Sequence, residues 1–187
     1  MCGVDQLNHD LAAWCARQGI LGIEFAAGLD YAYEIKSRKV VYAIVEKASD
    51  DFVEKDFAQF LHEYGCEHEV GIGILSLLHE IGHHMTYHYL SEKELNDSKW
   101  DKMCLEFVDV YYEKEHYAQN MMYWHTPVEF VANIWAIDFV NQHIEAVREL
   151  QDILMAGFQE IYGSDEINDF IDELNEIATS IIEEEDE

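Results

Sequence analysis

Leu78-His79-Glu80-Ile81-Gly82-His83-His84 is the stretch on which the reading of the chain turns. It carries the pattern H-E-x-x-H and lies inside a long apolar run, Val70 to Leu90. On a helix, residues four apart share a face, so His79 and His83 point the same way, one turn apart. Two neutral imidazoles at that separation can bind one Zn²⁺. Glu80 is the next residue round, within reach of the metal's open position. There it could take a proton from a water whose pKa the ion has lowered. A chance match of this pattern in a chain of this composition has a probability of roughly one in fifteen, so the surroundings must carry part of the weight. Ile72, Ile74, Leu75, Leu77, Leu78, Ile81 and Met85 cover nearly the whole circumference of the helix, as expected of one buried within a domain. Glu80 and three nearby histidines in such a helix are costly without partners, and a metal would be one. Gly82 costs about 1 kcal/mol against Ala in mid-helix, which points to a compensating close approach of backbone or ligand. The plainer alternative is a core helix whose histidines hydrogen-bond to their neighbours.

The 187 residues are enough for one domain with a real core. Cys2, Cys15, Cys66 and Cys104 are scattered, with no C-x-x-C, which predicts reduced thiols and a cytoplasmic protein rather than a disulfide framework. Cys66-Glu67-His68 is a lesser metal-pair candidate that reads more simply as a loop. No stretch is long and apolar enough to span a membrane, and the N-terminus has no basic region leading into an apolar one. The net charge of −28 argues against direct contact with a phosphate backbone, which needs Lys and Arg. A field of that size attracts basic partners; a well-solvated acidic surface accounts for it equally.

Val4, Leu7, Leu11, Trp14 and Cys15 predict a helix over 4–17 that ends at Gln18-Gly19. Three runs rich in β-branched and aromatic residues, 20–26, 31–35 and 39–45, predict a three-stranded antiparallel sheet. Ser49-Asp50-Asp51 can cap a helix carrying Phe52, Val53, Phe57, Phe60 and Leu61, closing at Gly65. The motif helix should run to about Tyr89, and Ser91-Glu92-Lys93-Glu94 starts either a helix or a loop. Further helices are predicted at about 98–118, 127–142, 144–162 and 166–183. The expected class is α+β, mostly α.

Catalytic zinc sites usually have three protein ligands and a water. Glu129, in the first turn of the 127–142 helix, is a candidate third ligand. Asn133, one turn on, could orient a ligand histidine from behind. A competing role is equally well founded: Thr126-x-x-Glu129 is a capping box, in which Glu129 bonds to the Thr126 backbone N–H. Residue chemistry alone leaves these two roles even. His125, His143, Asp138, Glu106 and His116 are other possible third ligands.

His79-Glu80-Ile81-Gly82-His83 and, downstream, Glu129-Phe130-Val131-Ala132-Asn133-Ile134-Trp135-Ala136 resemble the ImmA/IrrE-type metallopeptidases. That family typically shows H-E-x-G-H and then a helix with E-x-x-A-N-x-h-A, h being apolar. The resemblance covers about 20–142. The expected organisation is a single domain, 1–187, in which a small antiparallel sheet (about 20–45) packs on a motif helix that the resemblance makes zincin-like. A C-terminal helical extension, 144–183, lies outside the resemblance. The resemblance implies a gluzincin-like site with His79, His83 and Glu129 holding Zn²⁺ and Glu80 as the catalytic base. The interval from His83 to Glu129 is longer than in that family, with an added acidic and aromatic segment across 91–125. The resemblance also implies an intracellular protease that cuts a protein or peptide substrate, with a basic DNA-binding repressor as the type of target. Tyr123, His125, His84, His88 and His143 are the candidates for stabilising the oxyanion. Two other classes fit the same chain. One is an acidic decoy occupying the basic groove of a nucleic-acid-binding protein. The other is a zinc-stabilised interaction module without turnover.

Overall fold

Leu7, Leu11, Trp14 and Cys15 recur at helical spacing because one face of α1 (Gly3–Arg17) is buried, and all four are at most 1% exposed. The computed structural model describes residues 3–44, 57, 59–96 and 123–163. The chain divides into two compact units, residues 1–47 with 148–187, and residues 48–147. It is mostly helical with one small sheet.

In the first unit, α1 packs against β1 (Glu24–Gly28), which lies in a sheet with β2 (Ala32–Glu34) and β3 (Lys39–Ala43). The sheet is mixed, not antiparallel throughout. Its order is β1-β3-β2, with β2 antiparallel to β3 and β1 parallel to it. Burial explains the correction. β3 hides Val40 and Tyr42 completely, so it takes the centre, where both edges are hydrogen-bonded. β2 is three residues long and largely exposed, and it gains little from that position. The link 29–31 carries the chain past the end of β3, and β3 then inserts between its predecessors. The first strand also starts later than its apolar run suggests. Gly22 sits at φ +74°, a left-handed turn that breaks the run before Glu24.

The part of the last helix, α4 (Ile144–Tyr162), from Arg148 onward belongs to this unit and buries Leu150, Leu154 and Ile161. It meets α1 where a side chain on Gly157 would run into Leu7. Arg17 Nη2 lies 2.7 Å from Glu149 Oε1, a half-exposed pair of the kind that adds little stability. Burial pushes the Cys15 thiol up to about 12, so it is a packing residue and not a nucleophile.

The second unit holds the motif helix α2 (Ile72–Thr86) and α3 (Pro127–Gln142). A 3₁₀ turn, Tyr87–Tyr89, extends α2 to the predicted end of the motif helix. Residues 59–63 are helical, and the chain leaves that helix at Gly65, as its sequence predicts. Ser91 and Glu94 form a reciprocal capping box, Glu94 Oε2 accepting from Ser91 N at 2.7 Å and Ser91 Oγ from Glu94 N at 3.3 Å. The predicted helices at 98–118 and 166–183 and the Ser49-Asp50-Asp51 cap lie outside the described residues. So do Glu106, His116, Cys2 and Cys104. Among the described residues no helix is long and apolar enough to cross a membrane.

Candidate metal centre

α2 begins at Gly71 with no side-chain cap and no acidic residue in its first turn. Burial holds it instead: Ile74, Leu75, Leu77, Leu78 and Ile81 are all buried, and so are His79, Glu80, Gly82 and His83. α3 starts as its sequence predicts, with Pro127 in the first turn and Thr126 in the cap position. The two helices pack on each other, and Gly82 lies against the Ala132 backbone. A Cβ there would lie 2.6 Å from the carbonyl oxygen of Ala132 and 3.1 Å from its Cα. Only glycine lets the α3 backbone come this near, which is the compensation that its place in mid-helix calls for.

That contact places Glu129 and Asn133, on either side of Ala132, over the histidines. Glu129 Oε2 is 3.0 Å from His79 Nε2 and 3.4 Å from His83 Nε2. Asn133 Oδ1 is 2.8 Å from His79 Nδ1 and accepts its proton. Glu80 Oε1 is 4.0 Å from His79 Nε2. The two imidazoles meet edge to face, centroids 4.5 Å apart. His79, Glu80 and His83 are each 8% exposed, Glu129 9% and Asn133 0%.

The capping box therefore does not form. Thr126 makes no side-chain cap bond, and its Oγ1 is buried without a partner. Glu129 has turned from the helix end to the histidines.

The metal-free electrostatics follow from this. Burial pulls the His79 pKa down, but the hydrogen bond to Glu129, the charges of Glu80 and Glu129 and the bond to Asn133 outweigh it. The pKa lies above the ordinary histidine value. Burial likewise pushes the Glu129 carboxyl up, and the hydrogen bonds from His79 and His83, with their charges, hold it well below the usual carboxylate range. Both ring nitrogens of His79 face acceptors, so its imidazolium is the form that the surroundings favour.

Buried His79, Glu80 and His83 lie close enough to hold a metal ion, their donor atoms all within 4.8 Å of one another. The donor set fits a divalent cation. Two carboxylates and two neutral imidazoles leave two negative charges in a nearly buried place, and a dication cancels both. Geometry agrees for Glu129 as well. Zinc bonds of about 2.0–2.1 Å in a tetrahedron put neighbouring donors about 3.3 Å apart, and Glu129 Oε2 stands at 3.0 and 3.4 Å from the two imidazole nitrogens.

The other candidates are elsewhere. At about 1.5 Å per residue, Asp138 and His143 lie about 13 Å and about 20 Å beyond Glu129 along α3. His143 is the C-cap of that helix, its ring against Phe139. His125 is exposed and hydrogen-bonded to Tyr64. His88 packs against Tyr89 with the two rings tilted at 41°. Cys66 offers its thiol to the His68 carbonyl, 3.5 Å away. The reading of the residues missed the aromatic block around Phe60, Tyr64 and Trp124. Phe60 and Tyr64 stand four apart, which signals a shared helical face but not what packs on it. The chain matches no protein-family model, no curated protein and no solved structure.

Gly82→Ala tests the helix contact directly. Overpacking costs about 1–3 kcal/mol, and helix propensity returns about 1 kcal/mol. The obstacle is backbone and cannot swing aside, so the cost should exceed the return. Thermal unfolding should show a lower midpoint, and zinc titration a weaker site. An unchanged midpoint with unchanged zinc affinity would mean that the helices are not this close.

Proposed function

We propose that the chain is a zinc-dependent peptidase. One observation carries the reading: Glu129 gives up its own helix cap to meet both imidazoles of the H-E-x-x-H helix, beside a second buried carboxylate, Glu80. A hydrogen-bonded core would satisfy two histidines more simply, without burying two acids. His79, His83 and Glu129 would hold the ion, and Asn133 would fix the His79 tautomer by accepting its Nδ1 proton. When bound, Zn²⁺ supplies a Lewis acid that polarises a carbonyl and makes water acidic near neutral pH. Glu80 then takes the proton of the attacking water and hands it to the leaving amine. The order H-E-x-G-H followed by E-x-x-A-N supports an ImmA/IrrE-like peptidase in particular.

The substrate class is what the resemblance implies, and the charge agrees with it. A chain of net charge −28 draws basic proteins to itself and speeds the encounter. We read the substrate as a basic, DNA-binding regulatory protein, cut in the cytoplasm. The same charge favours one other reading, an acidic decoy that occupies such a protein without cutting it.

The test is cleavage of basic DNA-binding proteins by zinc-loaded protein, before and after chelation. Cleavage that chelation stops and added zinc restores supports the peptidase. A complex that dissolves in high salt with its partner intact supports the decoy. A lower unfolding temperature on chelation, with no product from any partner, supports a zinc-stabilised interaction module.

A further inference from the structure

We propose that His125, held by Tyr64, is a positioning residue for the Glu129 carboxylate. The inference rests on the metal-site reading above.

A helix that gives up its capping box needs another device to hold its first turn. α3 has none at Thr126, whose hydroxyl is unpartnered although the residue is only 3% exposed. The device stands one residue earlier. His125 stacks on Phe130, ring centroids 5.8 Å apart and 17° from parallel. These are the positions just before the cap and in the fourth place of the helix, where a hydrophobic staple fixes the direction in which a chain enters a helix. A histidine in a staple is less apolar than the usual occupant, and it has what an aliphatic residue lacks, a polar handle. Its Nε2 is hydrogen-bonded to the Tyr64 hydroxyl.

Tyr64 is itself fixed. It meets Phe130 edge-on at 5.3 Å and packs on Phe60 at 4.7 Å. Phe60 is fully buried and receives the His125 ring edge-on at 5.3 Å. The same block also reaches His79. Trp124 packs on Phe60 and on Phe57, and Phe57 meets the His79 ring at 86°, centroids 5.9 Å apart. One set of aromatic rings thus touches both the turn that carries Glu129 and the imidazole that Glu129 must reach. Moving His125 loosens the first turn of α3 relative to His79. Aromatic contacts of this geometry are individually modest, so the effect should appear in how well the site is formed and not in whether the chain folds.

The experiment compares wild type with His125→Ala, His125→Phe and Tyr64→Phe. It reads Zn²⁺ affinity by competition with a chelating dye, and the ligand-field absorption of bound Co²⁺, which reports donor geometry. His125→Ala should bind zinc about 2- to 10-fold more weakly, the range of a single aromatic contact, and its Co²⁺ spectrum should shift. His125→Phe keeps the stack and should recover most of the affinity. Tyr64→Phe should shift the Co²⁺ spectrum in the same direction by less. Wild-type affinity and a wild-type spectrum in His125→Ala would overturn the proposal. If His125→Ala does not fold, a wild-type spectrum in Tyr64→Phe overturns it. Wild-type protein that takes up neither metal would instead remove the zinc reading on which the proposal rests.

Discussion

On the proposed zinc site, Glu129→Ala should abolish metal binding. Protein purified from zinc-containing medium should carry about one zinc per chain as wild type and almost none as the variant, and any cleavage should vanish with it. The size of the effect follows from what the carboxylate does. Its Oε2 contacts both imidazoles, at 3.0 and 3.4 Å, and it brings a full charge to a nearly buried place. Partners that only orient a ligand are worth about 10- to 100-fold in metal affinity; a ligand should be worth more. Without metal the variant should be only mildly affected. It loses hydrogen bonds worth about 1–3 kcal/mol to the buried imidazoles, but one of two buried acids has gone. The His79 imidazolium loses the partner that most offsets its burial, so its pKa should fall towards or below the ordinary value. Zinc at one per chain in the variant would make Glu129 a helix-end residue whose approach to the histidines is incidental.

That variant decides what residue chemistry leaves even. A glutamate three places after a threonine at a helix start has two good uses, and both are local matters of a few kcal/mol. The choice is made by something non-local, the depth to which α3 settles on α2, and that depth is set by Gly82. The glycine is legible in advance as an anomaly in an apolar helix, but its partner, the Ala132 carbonyl, is not. The helix limits show the same division. The start of α3 can be read from Thr126-Pro127, a local signal, and the ends of α3 and α4 fall at the expected positions. Strand order cannot be read in that way. Parallel pairing of β1 with β3 depends on which strand has most to bury, and three short apolar runs look alike until their neighbours are known. The Phe60–Tyr64–His125–Phe130 block escapes for that reason too: the contacts across it join residues more than sixty positions apart.

Glu80→Gln separates holding an ion from using it. Glutamine matches glutamate in shape and removes only the basic oxygen. Glu80 is not placed like Glu129. Its nearest carboxylate oxygen is 4.0 Å from His79 Nε2, against 3.0 Å for Glu129, which leaves it beside the donor atoms and not among the closest of them. Zinc content should therefore stay at the wild-type value, and the Co²⁺ spectrum should change little. The rate should fall by about 10²–10⁴, the contribution of a well-placed general base, and KM should hold, because the substrate loses no contact in the ground state. The metal-free protein should become slightly more stable, since losing one buried charge and its repulsion with Glu129 outweighs losing the attraction of Glu80 for the His79 imidazolium. A core glutamate without chemical work would show that last effect and nothing else. The pairing of a higher unfolding midpoint with a collapsed kcat at constant zinc thus assigns Glu80 to the proton, and cleavage of a proven substrate at the wild-type rate would take that role from it.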